Sequence, residues 1–399
     1  MNKKLLGLSA FLMLLSASTA YAQMVGPDAY MKGNYVEIGI AGAGGFEGSP
    51  TTASPPPAGM HFRSGNPYFG FVANPQMDGW VNFNGDFFTP GSPENGWGFE
   101  IGDTLGPAGR NNCAYLNEIP GAITYWNYSA PNIDCDWEGD FTSGTNVHFK
   151  VSYHLDENAL FYITTITVTN NTSTPIADFY YFRNIDPDNN QPISSDFTTQ
   201  NTVVSQITAG DPTTSVTATS AVPWTSTYDL VAVDPDWKAD YGGFSNRDAS
   251  SLWHGYGFTQ TVGATNFADE AISLAHWIPT LNPGAPQTFK FASVFSPAAV
   301  SSAEAALSLA TGVNESNTGS VNVYPNPFAD NTTIIIDPAV QLRETSLMIY
   351  DVTGRKVREI SNISLHQILV ERNDLSAGVY FYRLINGGEN LFTGKLIIK

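Results

Sequence analysis

The chain has 399 residues, 37 of them acidic and 18 basic, for a formal net charge of −19. A field of that sign repels nucleic acid and anionic membrane, which removes both as partners. Two cysteines and six scattered histidines do not supply a thiolate or imidazole metal site at ligand spacing.

At the start, Lys3 and Lys4 precede an apolar run, Leu5–Leu15, and Ala20-Tyr21-Ala22 offers small residues where signal peptidase reads them. Residues 1–22 therefore read as a leader whose removal leaves Gln23 first. The run is too short to span a bilayer, and no later segment reaches the ~20 apolar residues of a transmembrane helix. Residues 321–399 hold eight acidic and eight basic residues and the leader two lysines, so 23–320 keep 29 acidic against 8 basic. The segment 23–310 is expected to be one large acidic all-β domain of antiparallel β-sandwich type.

Within it, Gly42–Gly59 carries Pro55-Pro56-Pro57 among small residues and reads as a surface excursion. Asn74–Gly102 is an aromatic and polar belt containing Trp80, Phe83, Phe87, Phe88, Trp97 and Phe99. Flat rings stack on sugars, with Asn and Asp reading hydroxyls, and Trp80, Trp97, Trp126 and Trp137 are the glycan-binding candidates. The same side chains also suit a core filled from irregular loops, the weightier account of the belt. Cys113 and Cys135 are expected to pair in the oxidising periplasm, as one structural disulfide contributing roughly 3 kcal/mol.

Val147–His154 is the clearest strand. Val147, Phe149, Val151 and Tyr153 alternate with His148, Lys150, Ser152 and His154, so one face is buried and one wet. Leu160–Thr169 and Phe179–Ile185 follow after short polar turns, and the three are expected to form a meander. His148 and His154 lie near 20 Å apart on this reading, too far to share a metal.

Asp186-Pro187-Asp188-Asn189-Asn190 alternates oxygen-bearing side chains, and Asp186, Asp188 and Asn190 are the candidate ligands of a calcium ion, the one cofactor considered. Gln191 stands where an EF-hand needs Gly and Phe197 where it needs Glu, so this is not an EF-hand. Turn capping by Asp and Asn accounts for the same residues. Asp234-Pro235-Asp236 with Asp240, and Asp134, Asp136 and Asp140, are further acidic groupings. Ala298–Ala310 is expected to be a helix after Pro297, and Thr311–Ser320 a polar linker.

No Gly-x-Ser-x-Gly elbow, His-Glu-x-x-His helix or phosphate loop is present, and no catalytic set is assigned. Glu100, Asp103, Glu118 and Glu138 sit among tryptophans. They keep open an exported carbohydrate-active enzyme that works with paired carboxylates in an aromatic cleft.

The C-terminal segment reads as a second, small Ig-like β-sandwich. Thr332–Ile336, Ser346–Val352, Lys356–Ile360, Gln367–Glu371, Val379–Ile385 and Leu391–Ile398 are strand-forming runs separated by Gly, Pro and Asn turns, with Gly354 and Gly378 placed for positive φ. Its motifs come in a fixed order. Tyr324-Pro325-Asn326-Pro327-Phe328 leads, Tyr350-Asp351-Val352-Thr353-Gly354 follows, then Gly378-Val379-Tyr380, and finally Gly394-Lys395-Leu396-Ile397-Ile398-Lys399.

This series resembles the C-terminal sorting domain (type A) of type IX secretion substrates of the Bacteroidota. The resemblance implies export through the periplasm to the outer surface, and as partners a type IX translocon and a surface sortase. It further implies cleavage in the linker and attachment of the cargo to an anionic lipopolysaccharide. The cargo itself is then expected to be a non-catalytic adhesion module that binds a glycan or surface partner, with the carbohydrate-active enzyme as the rival.

Overall fold

A computed structural model describes residues 22–63, 68–85, 95–102, 106–113, 116–207, 213–244, 248–309, 321–336, 341–343, 345–351, 355–373, 375–386 and 389–399. The leader before Ala22, the linker 311–320, Asp103 and Gly354 lie outside them. The chain divides into two compact units, residues 1–308 and 309–399, and both are built mainly of antiparallel strands. Among the described residues no helix is long and apolar enough to cross a membrane.

The centre of the first unit is a nine-stranded sheet. In spatial order it runs Gly121–Ser129, Asn132–Phe141, Val147–Asp156, Phe161–Asn170, Gln287–Val294, Ser226–Ala232, Thr214–Ser220, Thr199–Ser205 and Thr265–Ala268. The alternation expected around residue 150 is present: Val147, Phe149, Val151 and Tyr153 are buried and the residues between them are not. Two smaller sheets cover this inner face. Phe99 and Phe179 of the six-stranded sheet pack on Phe149 at 5.1 and 6.2 Å, and Phe71 of the five-stranded sheet stacks on Tyr228 at 5.1 Å. Such aromatic pairs gain beyond simple area burial, which is how irregular layers fill a core this wide.

The outer faces are covered locally by helices. Ala303 and Leu307 of the helix Val300–Leu309 pack on Ile163, Val231 and Val294. Ala249 and Leu252 of the helix Ala249–His254 pack on Tyr180, Phe182 and Ala275.

Three expectations need correction. The meander runs from Gly121–Ser129 to Phe161–Asn170 but does not take in the third expected strand, because Ile176–Ile185 leaves the large sheet and pairs with Asn95–Ile101 and Ile272–Leu281 in the six-stranded one. The Phe179-Tyr180-Tyr181-Phe182 run explains the move. It is apolar on both faces, which suits a strand with the core on one side and a helix on the other.

The first part of Gly42–Gly59 is not a surface excursion. Gly42 and residues 44–49 are buried, and the Gly42, Gly44 and Gly45 carbonyls accept hydrogen bonds from Trp137, Trp97, Asn111 and Tyr153. A glycine is required at position 45, where φ is +59° and a Cβ would lie 2.5 Å from the Trp137 ring.

Cys113 and Cys135 do not form the expected disulfide. Both are free and buried, one just past a strand of the six-stranded sheet and the other on the inner face of the nine-stranded sheet. Burial pushes the Cys113 thiol up to about 12 and that of Cys135 higher still, so neither is an exposed thiolate.

In the second unit the expected strands are present, their ends within three residues of those anticipated. One sheet is Val321–Tyr324, Asn331–Ile336 and Gln367–Glu371, and the other is Lys356–Ile363, Thr345–Asp351, Gly378–Asn386 and Glu389–Ile398. Phe328, Ile334, Ile349, Tyr382, Leu384, Leu396 and Ile398 form its own core.

Candidate functional site

Two of the four candidate tryptophans are structural. Trp97 is 2% exposed and Trp137 is sealed, their rings meet edge-on at 5.7 Å, and both indole N–H groups donate to the buried glycine loop. They are therefore removed as sugar platforms. Trp80 is half-buried. His61 stacks on it at 4.1 Å, and its N–H donates to the Asn34 carbonyl.

Trp126 is different. It sits on Gly121–Ser129, which ends the large sheet and pairs only with Asn132–Phe141. Opposite it lies Cys135, and opposite Tyr128 lies Ile133, both fully buried, while Trp126 and Tyr128 themselves expose 49% and 36%. The strands Ala22–Val25 and Asp28–Lys32 approach this edge strand and Ile123 packs on the core, so the cover thins along the strand and leaves Trp126 and Tyr128 half in water. Tyr125, 46% exposed, is carried on the opposite face beside Asp136. Tyr128 is oriented by donating to Glu157 at 2.8 Å. Trp126 and Tyr128, two residues apart on one face, are about 7 Å from each other along the strand. The strand itself, Gly-Ala-Ile-Thr-Tyr-Trp-Asn-Tyr-Ser, carries no charge.

The next strand carries the acidic grouping Asp134, Asp136, Glu138 and Asp140, and the structure spreads these carboxylates in a row rather than a knot. His154 pairs with Asp134 at 2.7 Å, Lys150 with Asp136 at 2.8 Å, and His148 with Asp140 at 3.0 Å. Such cross-strand pairs support the sheet and leave no cation pocket.

The carboxylates of the enzyme alternative also part company. Glu118 pairs with Arg110 and Glu138 with His148. Glu100 is buried beneath the helix Ala249–His254, where it accepts the Ser250 N–H and shares a hydrogen bond with Asp248. Burial and that neighbour push its carboxyl up to about 7.

Asp186 and Asp188 come together as the sequence suggested, and both are buried. The third carboxylate is Asp269, with the ligand oxygens of all three within 4.8 Å of one another. Nothing local in sequence marks Asp269. It arrives because Ile185 pairs with Ile272 across the six-stranded sheet. Burial, then the charges of Asp188 and Asp269, raise the Asp186 carboxyl well above its ordinary value. Asn190, at φ 62°, donates its amide to the Trp224 carbonyl. Asp240 stands apart, fully buried.

In the C-terminal unit the motif residues hold the last strand in place. Asn326 donates to the Lys395 carbonyl and accepts the Ile397 N–H, and the Phe328 N–H reaches the Ile397 carbonyl. Asp351 takes both the backbone and side chain of Arg355, and Tyr380 donates to the Ser376 carbonyl. Gly378 has φ +155°, and Lys395 and Lys399 are exposed. Residues 322–399 match the family described as "Secretion system C-terminal sorting domain".

This segment is a type IX sorting domain.

A chain that ends in a sorting domain is a substrate of type IX export, carried through the periplasm to the cell surface or beyond. No curated protein matches the chain. Solved structures similar to it include a polysaccharide lyase (12% identity, TM-score 0.31, covering 94% of this chain and 47% of that one). Heparan sulfate lyase HepC from Pedobacter heparinus (7%, 0.26, 64% and 28%) and 4-alpha-glucanotransferase from Thermococcus litoralis (10%, 0.31, 69% and 39%) are two more. The chain spans less than half the length of each, and at these TM-scores the likeness assigns nothing to it.

Proposed function

We propose that the cargo ahead of the sorting domain is a non-catalytic surface module that binds neutral glycans along the edge strand Gly121–Ser129. The observation that carries this reading is the uncharged edge strand that leaves Trp126 and Tyr128 half in water on one face and Tyr125 on the other. Rings left half in water at a sheet edge offer faces for stacking. The adjoining row of carboxylates disfavours polyanionic sugars and supports a neutral ligand. Depletion of the protein from solution by insoluble neutral polysaccharides tests it. Trp126→Ala should weaken the retained fraction at least about tenfold in affinity, equivalent to ~1.4 kcal/mol, and equal retention of wild type and variant would refute it.

A second reading concerns calcium and rests on the three converging carboxylates. Asp186, Asp188 and Asp269 fit a hard cation because their mutual repulsion, buried on two of three members, is relieved by a divalent charge. Calcium should then raise the thermal midpoint more than magnesium at equal concentration, and Asp188→Ala should erase the difference. Equal responses to the two ions would reduce the cluster to turn chemistry.

A further inference from the structure

The three carboxylates that converge at positions 186, 188 and 269 are not held by equally fixed backbone. Asp186 and Asp188 belong to a loop pinned from several sides. It leaves the strand Ile176–Ile185, which is paired along both edges. The Asn189 amide donates to the Ala218 and Ser226 carbonyls at 2.9 and 3.2 Å, and the Asn190 amide to the Trp224 carbonyl at 2.9 Å. Asp186, Asp188, Asn189 and Asn190 are all buried. With the two amide groups so committed, Asn189 Oδ1 and Asn190 Oδ1 have no hydrogen-bond partner among the described residues. Buried acceptors are nearly always satisfied, so a loop that joins two carboxylates to two open amide oxygens suits a hard cation.

Asp269 is placed differently. None of residues 261–270 is buried, and Val262 and Phe267 expose 54% and 70%. The strand among them, Thr265–Ala268, is four residues long, ends the nine-stranded sheet and pairs with Thr199–Ser205 alone. A strand this short, with one partner and little buried apolar surface, is where local opening comes most easily. Its ties are few: Asn201 donates its amide to the Ala268 carbonyl at 3.3 Å, and the Gly263 N–H reaches the Val203 carbonyl at 2.8 Å. The chain re-enters the core at Ala271 and Ile272, 2% and 0% exposed, so Asp269 stands near the fixed end of an exposed strap. Carboxylate oxygens within 4.8 Å of one another repel, and the repulsion acts on the member whose backbone can move.

We propose that calcium at Asp186, Asp188 and Asp269 is the clasp of this strap. Bound, the ion holds residues 261–270 on the end of the large sheet; removed, it lets them lift and uncover the edge of Thr199–Ser205. The inference rests on the calcium reading for its ion and adds what the ion controls.

Hydrogen–deuterium exchange of the purified protein, read by mass spectrometry in calcium and in a chelator, tests the clasp beside a calorimetric titration with calcium chloride. With free calcium at about ten times its dissociation constant, exchange of peptides covering 261–271 should slow about tenfold, the factor by which bound protein outweighs free. Peptides from Val147–Asp156 should exchange alike in both conditions. Asp269→Ala, at an exposed side chain, should abolish the calcium response of the strap, and Asp269→Asn, which keeps the shape of the side chain, should do the same. Saturable calcium binding without slower exchange in the strap, slowing spread equally over the protein, or a calcium response intact in both variants would overturn the clasp and leave the calcium reading standing. Absence of saturable binding would overturn both.

Discussion

Glu100 and Asp248 show what a single residue can do to the whole fold. Both carboxyls meet at the start of the helix Ala249–His254, where Asp248 caps the Ser251 N–H and Glu100 takes that of Ser250. Burial works against ionising Asp248, but the hydrogen bonds from Glu100 and Ser251 outweigh it and hold Asp248 below its ordinary value. Glu100, raised from 4.5 to about 7, keeps the proton the pair shares. The folded state therefore binds a proton that the unfolded chain has lost between pH 4.5 and 7, and stability falls as pH rises through that window. Glu100→Gln keeps a donor for Asp248 and an acceptor for Ser250 without the titration. Its thermal midpoint should change less than that of wild type between pH 5 and pH 8, and parallel slopes would contradict the assignment.

The four tryptophans carry the lesson about legibility at this scale. Composition marks all four as ring-bearing residues in polar surroundings, but whether a ring is wall or platform depends on what covers its strand. Trp137 and Trp126 lie on adjoining strands, yet one is sealed and the other 49% exposed.

Among the elements, those with a strict period were readable. Val147–Asp156 alternates cleanly because one face meets the core, and the short Ile- and Val-rich strands of the sorting domain are bounded by turn residues. Ile176–Ile185 was readable as a strand but not in its pairing, because a run buried on both faces has no alternation to fix its sheet. The loop 42–50 defeated reading altogether. Its glycines and small residues look like surface punctuation, yet they bury because Trp97, Trp137 and Tyr153 need close carbonyls.

The terminal strand Glu389–Ile398 supports a prediction of its own. It is stitched to Asn326 and Phe328 as well as to Gly378–Asn386, so removing Gly394–Lys399 opens both sheets' shared seam. That deletion should leave the protein in the periplasmic fraction and absent from the cell surface. Wild-type surface levels in cell fractionation would contradict the role given to this strand.

On the scale of the molecule, the chain joins a sorting domain with balanced charge to a cargo with 29 acidic and 8 basic residues. The division of labour was legible because export signals are linear motifs read in order. A binding surface on a wide sandwich is assembled from distant strands, so the sequence supplied candidates and the fold chose among them. The buried Arg183–Glu47 pair, 3.0 Å apart and joined by the Tyr162 hydroxyl at 2.7 Å, unites residues 136 positions apart and is of this kind. So is Asp269.

A neutral-glycan microarray probed with the wild-type protein and with Tyr125→Ala/Trp126→Ala side by side tests the account most directly. Wild type should bind a restricted group of neutral glycans and the double variant should lose that binding, with the thermal midpoint unchanged. No binding by wild type, or the same binding profile in both proteins, would contradict it.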